Sequence, residues 1–134
     1  MIQQTTFYLV VYLFLGFSCT GQKNSKTLPT IDTCLSNLKF YSTYWKKDSI
    51  GDNGFREIFA LSKLEKCSFK NTNWEEVSKY LGTPNFTFKY ENYIHYRYKL
   101  TNYESDIPGT QFLEIFVDSK SNLITSFFIK EIDG

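Results

Sequence analysis

A lone histidine, two interior cysteines and one loop of oxygen-bearing side chains are where the residue types of this sequence first suggest chemistry. His95, the only histidine, stands in an alternating run with Tyr93, Arg97 and Lys99 on its own side. That setting suits a solvent-facing or cross-strand residue better than a charged switch. No Ser or Cys lies in a nucleophile-elbow pattern, and one His does not define a Ser-His-Asp arrangement. No catalytic residue is assigned, and the chain is not expected to be an enzyme. The loop Asp48-Ser49-Ile50-Gly51-Asp52-Asn53-Gly54 offers hard oxygen ligands. Counted as an EF-hand, however, its positions 1, 3, 5, 6 and 12 hold Asp48, Ile50, Asp52, Asn53 and Phe59, so an oxygen ligand, the glycine and the closing glutamate are missing. The loop reads as a structural turn, and neither a metal nor a cofactor is expected. Cys34 and Cys67 have no CxxC spacing and no nearby His, which disfavours zinc and thioredoxin-like redox chemistry. Two readings stand for them: a disulfide closing a loop of about 33 residues, contributing about 3–4 kcal/mol through the unfolded state, or two buried free thiols.

Disulfides persist mainly in oxidising compartments, and the N-terminal segment points the same way. Residues 7–17 (FYLVVYLFLGF) are an unbroken apolar run of about 11 residues, short of the ~20 that span a bilayer and suited to an export leader. The run ends in Gly16-Phe17-Ser18-Cys19, a small residue followed by cysteine, which resembles the lipobox of bacterial lipoproteins. The resemblance implies that residues 1–18 are a signal peptide and that Cys19 becomes the lipidated first residue. The chain is then held to a membrane of the cell envelope, with the periplasmic face of the outer membrane as the expected location. Ordinary secretion and a short membrane-embedded helix are the alternatives. Residues 19–30, polar and punctuated by Pro29, read as a flexible tether.

The elements that position these residues follow from periodicity. Of 134 residues, removal of the leader leaves about 115, one ordinary domain over residues 31–134. The whole chain carries thirteen Phe and ten Tyr, and those beyond the leader supply the domain with large apolar surfaces for a core. Fifteen basic and fourteen acidic side chains give a net charge of +1, without a general pull toward phosphate, so nucleic acid is not an expected partner. Ile31, Leu35, Leu38, Ser42 and Trp45 predict a helix over 31–46, capped by Thr30 or Asp32. Phe55, Ile58, Leu61 and Leu64, with Phe59 beside them, predict an amphipathic helix over 55–66 that turns Arg56, Glu57, Lys63 and Glu65 mostly away from the core. Asn73 and Glu76 resemble a capping box opening a short helix with Trp74, Val77, Tyr80 and Leu81 on its apolar side, and Gly82 and Pro84 end it. Beyond it the period falls to two: 93–100 and 112–118 alternate, residues 118–122 turn, 123–132 returns, and 86–90 adds a short first strand. The expected fold is α+β, with two or three N-terminal helices packed on one face of a three- or four-stranded antiparallel β-meander.

Residues 74–128 resemble small outer-membrane lipoproteins of the SmpA/BamE kind. The motifs are a short helix ending Leu81-Gly82-Thr83-Pro84, the aromatic strand Tyr96-Arg97-Tyr98, and Phe112 to Asp118 followed by the turn into Ser121-Asn122-Leu123-Ile124. The resemblance implies a shared architecture and, by analogy, a part in envelope assembly. The leading expectation is a lipid-anchored, noncatalytic protein-interaction module docking on an envelope protein. A secreted or periplasmic inhibitor or immunity-type protein, and a binder of small ligands or lipid, are the alternatives. The candidate partner-binding stripe is Tyr93, His95, Arg97 and Lys99, where Tyr and Arg suit an interface. A solvated sheet face, with its charges paired to Glu114 or Glu131 across strands, is the other reading. Metabolic labelling with a fatty-acid analogue is expected to mark the protein, and Cys19→Ala to abolish the label; equal labelling of both would refute acylation at Cys19.

Overall fold

A computed structural model describes residues 27–101 and 109–133. Helix α1 (Ile31–Lys47) starts where Thr30, in an extended conformation, accepts a hydrogen bond from the Thr33 amide on its side-chain oxygen. Asp32 in the first turn and Lys46 and Lys47 in the last complement the helix dipole. Its buried face runs through Cys34, Leu38 and Trp45. It is rotated from the stripe expected through Ile31, which is exposed, and Ser42 serves as a donor, giving its hydroxyl to the Tyr80 carbonyl at 2.7 Å.

The loop after α1 is a structural turn. Asp48 is fully buried, and its two carboxylate oxygens accept the amides of Asn53 at 3.1 Å and Arg56 at 2.9 Å. Those bonds start helix α2 (Phe55–Phe59), which continues as a π-turn over Ala60–Leu64, the Glu65 amide donating to the Ala60 carbonyl. Here the expected helix face is corrected. Arg56, assigned to the outer side, is 2% exposed, while Ile58 and Leu61, assigned to the core, are 69% and 39% exposed. The buried positions are Arg56, Phe59, Ala60 and Leu64, because Arg56 has polar partners inside and the π-turn inserts one residue into the helical period. Cys67, just past this turn, is bonded to Cys34 with a Cα–Cα distance of 6.0 Å, so a disulfide fastens α1 to the end of α2.

Helix α3 (Trp74–Leu81) is capped by Asn73, whose side chain accepts from the Glu75 amide at 2.8 Å. Trp74, Val77 and Leu81 face inward, and Gly82 ends the helix at φ +70°. The strands β1 (Phe86–Lys89), β2 (Tyr93–Lys99), β3 (Gln111–Asp118) and β4 (Ile124–Glu131) form an antiparallel meander in the order β1-β2-β3-β4. The α+β expectation holds, with the helices before the strands and four strands rather than three. Ring contacts join the layers: Trp45 with Tyr98, Trp74 stacked on Tyr96 at 4.4 Å, and Phe69 with Phe127 at 4.5 Å. Tyr98 is fully buried, its hydroxyl donates to the Gly82 carbonyl at 2.6 Å, and burial pushes its phenol well above the usual range.

The two turn glycines separate backbone conformation from close approach. Both have positive φ, +74° at Gly51 and +78° at Gly54. A Cβ on Gly51 would lie 2.8–2.9 Å from backbone atoms of Leu100 and Thr101, whereas one on Gly54 meets nothing within 4 Å. Gly54→Ala is therefore expected to cost about 1–2 kcal/mol from conformation alone, and Gly51→Ala at least about 3 kcal/mol because the sheet end must also move. Urea unfolding of the two variants measures this, and equal costs would mean that the loop does not press on Leu100.

Candidate functional site

The helices cover one face of the sheet, and strand alternation decides what the other face carries. From β2 come Tyr93, His95, Arg97 and Lys99. Pairing sets Phe86 and Phe88 of β1 opposite Arg97 and His95, and Phe112, Glu114 and Phe116 of β3 opposite Lys99, Arg97 and His95. Phe128 of β4 stands opposite Glu114. The four residues predicted as a binding stripe thus share one face, but they do not make its surface alone.

A ladder of rings crosses all four strands. Phe88 lies 5.3 Å from His95, His95 stacks on Phe116 at 4.2 Å, and Phe116 stacks with Phe128 at 6.0 Å. Beside it, Phe86 contacts Phe88 and Phe112, both at 6.4 Å. Among these rings Glu114 is 1% exposed. One of its oxygens pairs with His95 Nε2, and the other accepts from Arg97 Nε at 2.9 Å. A carboxylate this far from water needs such partners, since an unpaired buried charge is strongly disfavoured. The Arg97 guanidinium also lies 4.8 Å from the Phe112 ring centre and 5.6 Å from that of Phe88, and Lys99 Nζ lies 5.9 Å from Phe86.

At two positions of the stripe the cross-strand reading is the one that holds. His95 is buried, held between Phe88 and Phe116 by its bond to Glu114, so it is the cross-strand residue and not a solvent-facing one. Arg97, with only a quarter of its side chain exposed, is an ion-pair partner rather than a free interface residue. Much of what reaches solvent is aromatic: Phe86, Phe88, Tyr93 and Phe128 are all exposed, with Tyr90 stacked on Tyr93 at 4.5 Å, and β4 adds the exposed Ser126 and Lys130 to the same face. The sequence reading missed these phenylalanines because it followed β2 alone. The signal was present in the i, i+2 spacing of Phe86 and Phe88 and in Phe112, Glu114 and Phe116, which alternate against the core residues of β3.

At the β3–β4 turn, hydrogen bonds from the Ser121 amide and hydroxyl, followed by the Lys120 amide, hold the Asp118 carboxyl below its usual range. Among the described residues no group of three or more His, Cys, Asp or Glu side chains is placed to hold a metal, and no helix is long and apolar enough to cross a membrane. Cys19, the expected acylation site, and residues 1–18, expected to be a leader, lie outside the described residues. Comparison of the chain with protein-family models, curated proteins and solved structures found no match.

Burial of Glu114 sets different costs for its partners. Glu114→Ala is expected to destabilise by about 3 kcal/mol, because it strips Arg97 and His95 of their acceptor. Arg97→Ala should cost more than the ~0.5 kcal/mol of an exposed truncation. The double variant should cost clearly less than the sum of the singles. Urea unfolding of the four proteins tests the coupling, and strict additivity would refute it.

Proposed function

We propose that this chain is a lipid-anchored protein of the bacterial cell envelope and acts as a noncatalytic interaction module, holding an envelope protein on the aromatic face of its sheet. The observation that carries the reading is that face: a ladder of rings across four strands with exposed phenylalanines at both ends, Phe88 and Phe128, set on the side away from the helices. Contiguous exposed aromatic surface of this kind costs solubility and is retained where a partner covers it. Arg97 and Glu114 neutralise one another inside the ladder, so recognition there rests on rings and shape, with Lys99 and Lys130 as cations at the rim. The Cys34–Cys67 bridge favours an oxidising compartment, in agreement with the leader and with Cys19 as an acylation site. The resemblance of residues 74–128 to SmpA/BamE lipoproteins supports the same placement, with the role in assembly by analogy.

Phe88 and Phe128 offer a cleaner test than Arg97, since both are substantially exposed and neither takes part in the ion pairs. The double variant Phe88→Ser, Phe128→Ser is expected to stay folded, at a cost of about 1 kcal/mol, and to lose most of the species that wild-type protein crosslinks in isolated membranes. Adding Tyr93→Ala should weaken capture further. If the folded double variant crosslinks the same partners to the same extent, the sheet face is not the interface. A captured enzyme whose activity falls on binding would instead favour the inhibitor reading.

A further inference from the structure

The helix layer carries a second exposed apolar surface, on the side opposite the sheet. In α1, Phe40 stands about 160° around the helix axis from the buried Leu38 and about 140° from the buried Trp45. Phe40 is 74% exposed, and Tyr44, one turn further on, 57%. The patch continues onto α2 without a break: Phe40 touches Tyr41, and Tyr41 and Tyr44 both touch Phe55, at ring distances of 4.8, 6.2 and 5.6 Å. Ile58, 69% exposed, lines a cleft of about 170 Å³ with Tyr41, Phe55 and Phe59. Ile58 points outward because Arg56 occupies the inner side of the same helix.

We infer that this patch, centred on Phe40, Tyr44 and Ile58, rests in the interfacial region of the lipid bilayer to which the chain is anchored. The inference rests on the reading of Cys19 as the lipidated residue. The occupant follows from the length of chain between that residue and the patch. Cys19 precedes the first residue of α1 by 12 positions, a length that spans about 20 Å as a flexible chain and at most about 40 Å when extended. Phe40 lies roughly 14 Å further along the helix. An acyl chain on Cys19 thus keeps the start of α1 about 20 Å from the headgroups on average and within about 40 Å at full stretch, at a high effective concentration of bilayer. Phenylalanine, isoleucine and tyrosine suit that interface, where rings and aliphatic side chains enter the acyl boundary and hydroxyls stay among the headgroups. Lys63 also lines the cleft and can meet a lipid phosphate, but the residues that centre the patch are uncharged, so the contact rests chiefly on apolar insertion. The orientation that results lays α1 along the membrane and turns the aromatic sheet face away from it.

The test uses full-length acylated protein in phosphatidylcholine vesicles containing a lipid with a nitroxide near the headgroup. The native Trp45 and Trp74 are buried and give a constant background. Phe40→Trp is expected to add emission that the nitroxide lipid quenches at least about twofold, as for an indole at the interface. Phe128→Trp, on the sheet face, should add emission that is not quenched. Replacing Ile58 and Tyr44 with Ser in the Phe40→Trp protein should reduce the quenching while the protein still floats with the vesicles. Floating protein in which residue 40 is unquenched, or in which residues 40 and 128 are quenched equally, overturns the inference and leaves the anchor intact. Unquenched emission together with a doubled mass in detergent assigns the patch to a second copy and overturns it as well. Protein that does not float refutes the anchor and, with it, this inference.

Discussion

The guanidinium of Arg56 is the point on which the helix layer turns. Its Nε donates to the Trp45 carbonyl at 3.0 Å, and its Nη1 donates to the Ser49 carbonyl at 3.1 Å and to Asn85 Oδ1 at 3.0 Å. The same asparagine donates to the Ser49 carbonyl and accepts the Lys99 amide, both at 2.8 Å. One side chain thereby joins the end of α1, the turn, the entry to β1 and the end of β2, while its own amide is bound by Asp48. Its charge lies 4.6 Å from the Trp45 ring centre and 5.7 Å from that of Tyr98. Burial pulls its pKa down to about 10 even though Asp48 acts in the opposite direction. A buried cation of this kind adds little net stability compared with well-packed apolar side chains. Its effect is on geometry, since few arrangements of α1, α2 and the sheet satisfy its donors together.

The sheet repeats the device with opposite sign. Glu114 is a buried anion on the outer face, satisfied by His95 and Arg97 from the neighbouring strand. Register is the property it controls, because a one-residue slip of β3 against β2 would turn the carboxylate to the helix-covered side without its partners and turn Leu113, Ile115 and Val117 out of the core. The bulge between Phe116 and Val117 lies just beyond it, where Thr125 on β4 gives its hydroxyl to the Phe116 carbonyl at 3.2 Å. In both layers a buried charge fixes the arrangement, and the aromatic rings pack around it.

This division explains what could be read from residue order. Helix α3 was legible end to end, since Asn73 and Gly82 act within a few residues of the backbone groups they satisfy. The strands were legible because a period of two survives whatever covers each face. The Cys34–Cys67 bridge was readable as a possibility, and the helices it joins bring the two Cα atoms to bonding distance. The inward turn of α2 was not legible. Arg56 is buried by Asn85, 29 positions away, and by the ring of Tyr98, and a helical wheel of residues 55–66 contains neither. For His95 and Arg97 the acceptor, 19 and 17 positions on, was legible only as a choice between Glu114 and Glu131, because strand register decides which of the two stands opposite. Local hydrophobic period assigns charged residues to solvent, and it fails where distant partners satisfy them inside.

The two exposed surfaces are linked through these constraints. Turning Arg56 inward sends Ile58 outward, so the apolar patch on the helix layer is the other side of the contact that ties that layer to the sheet. Drawing Glu114 inward brings Arg97 and His95 with it, and leaves the outer ends of the face to Phe88 and Phe128. Between the surfaces lie one helix layer and one sheet, held by the disulfide from α1 to Cys67 and by Trp45 against Tyr98. Tightly packed interiors of this kind deform little. Under the proposed anchoring, the thickness of these two layers therefore sets the height at which a partner meets the sheet above the membrane. A short tether together with a rigid body would restrict both the distance and the orientation of that partner.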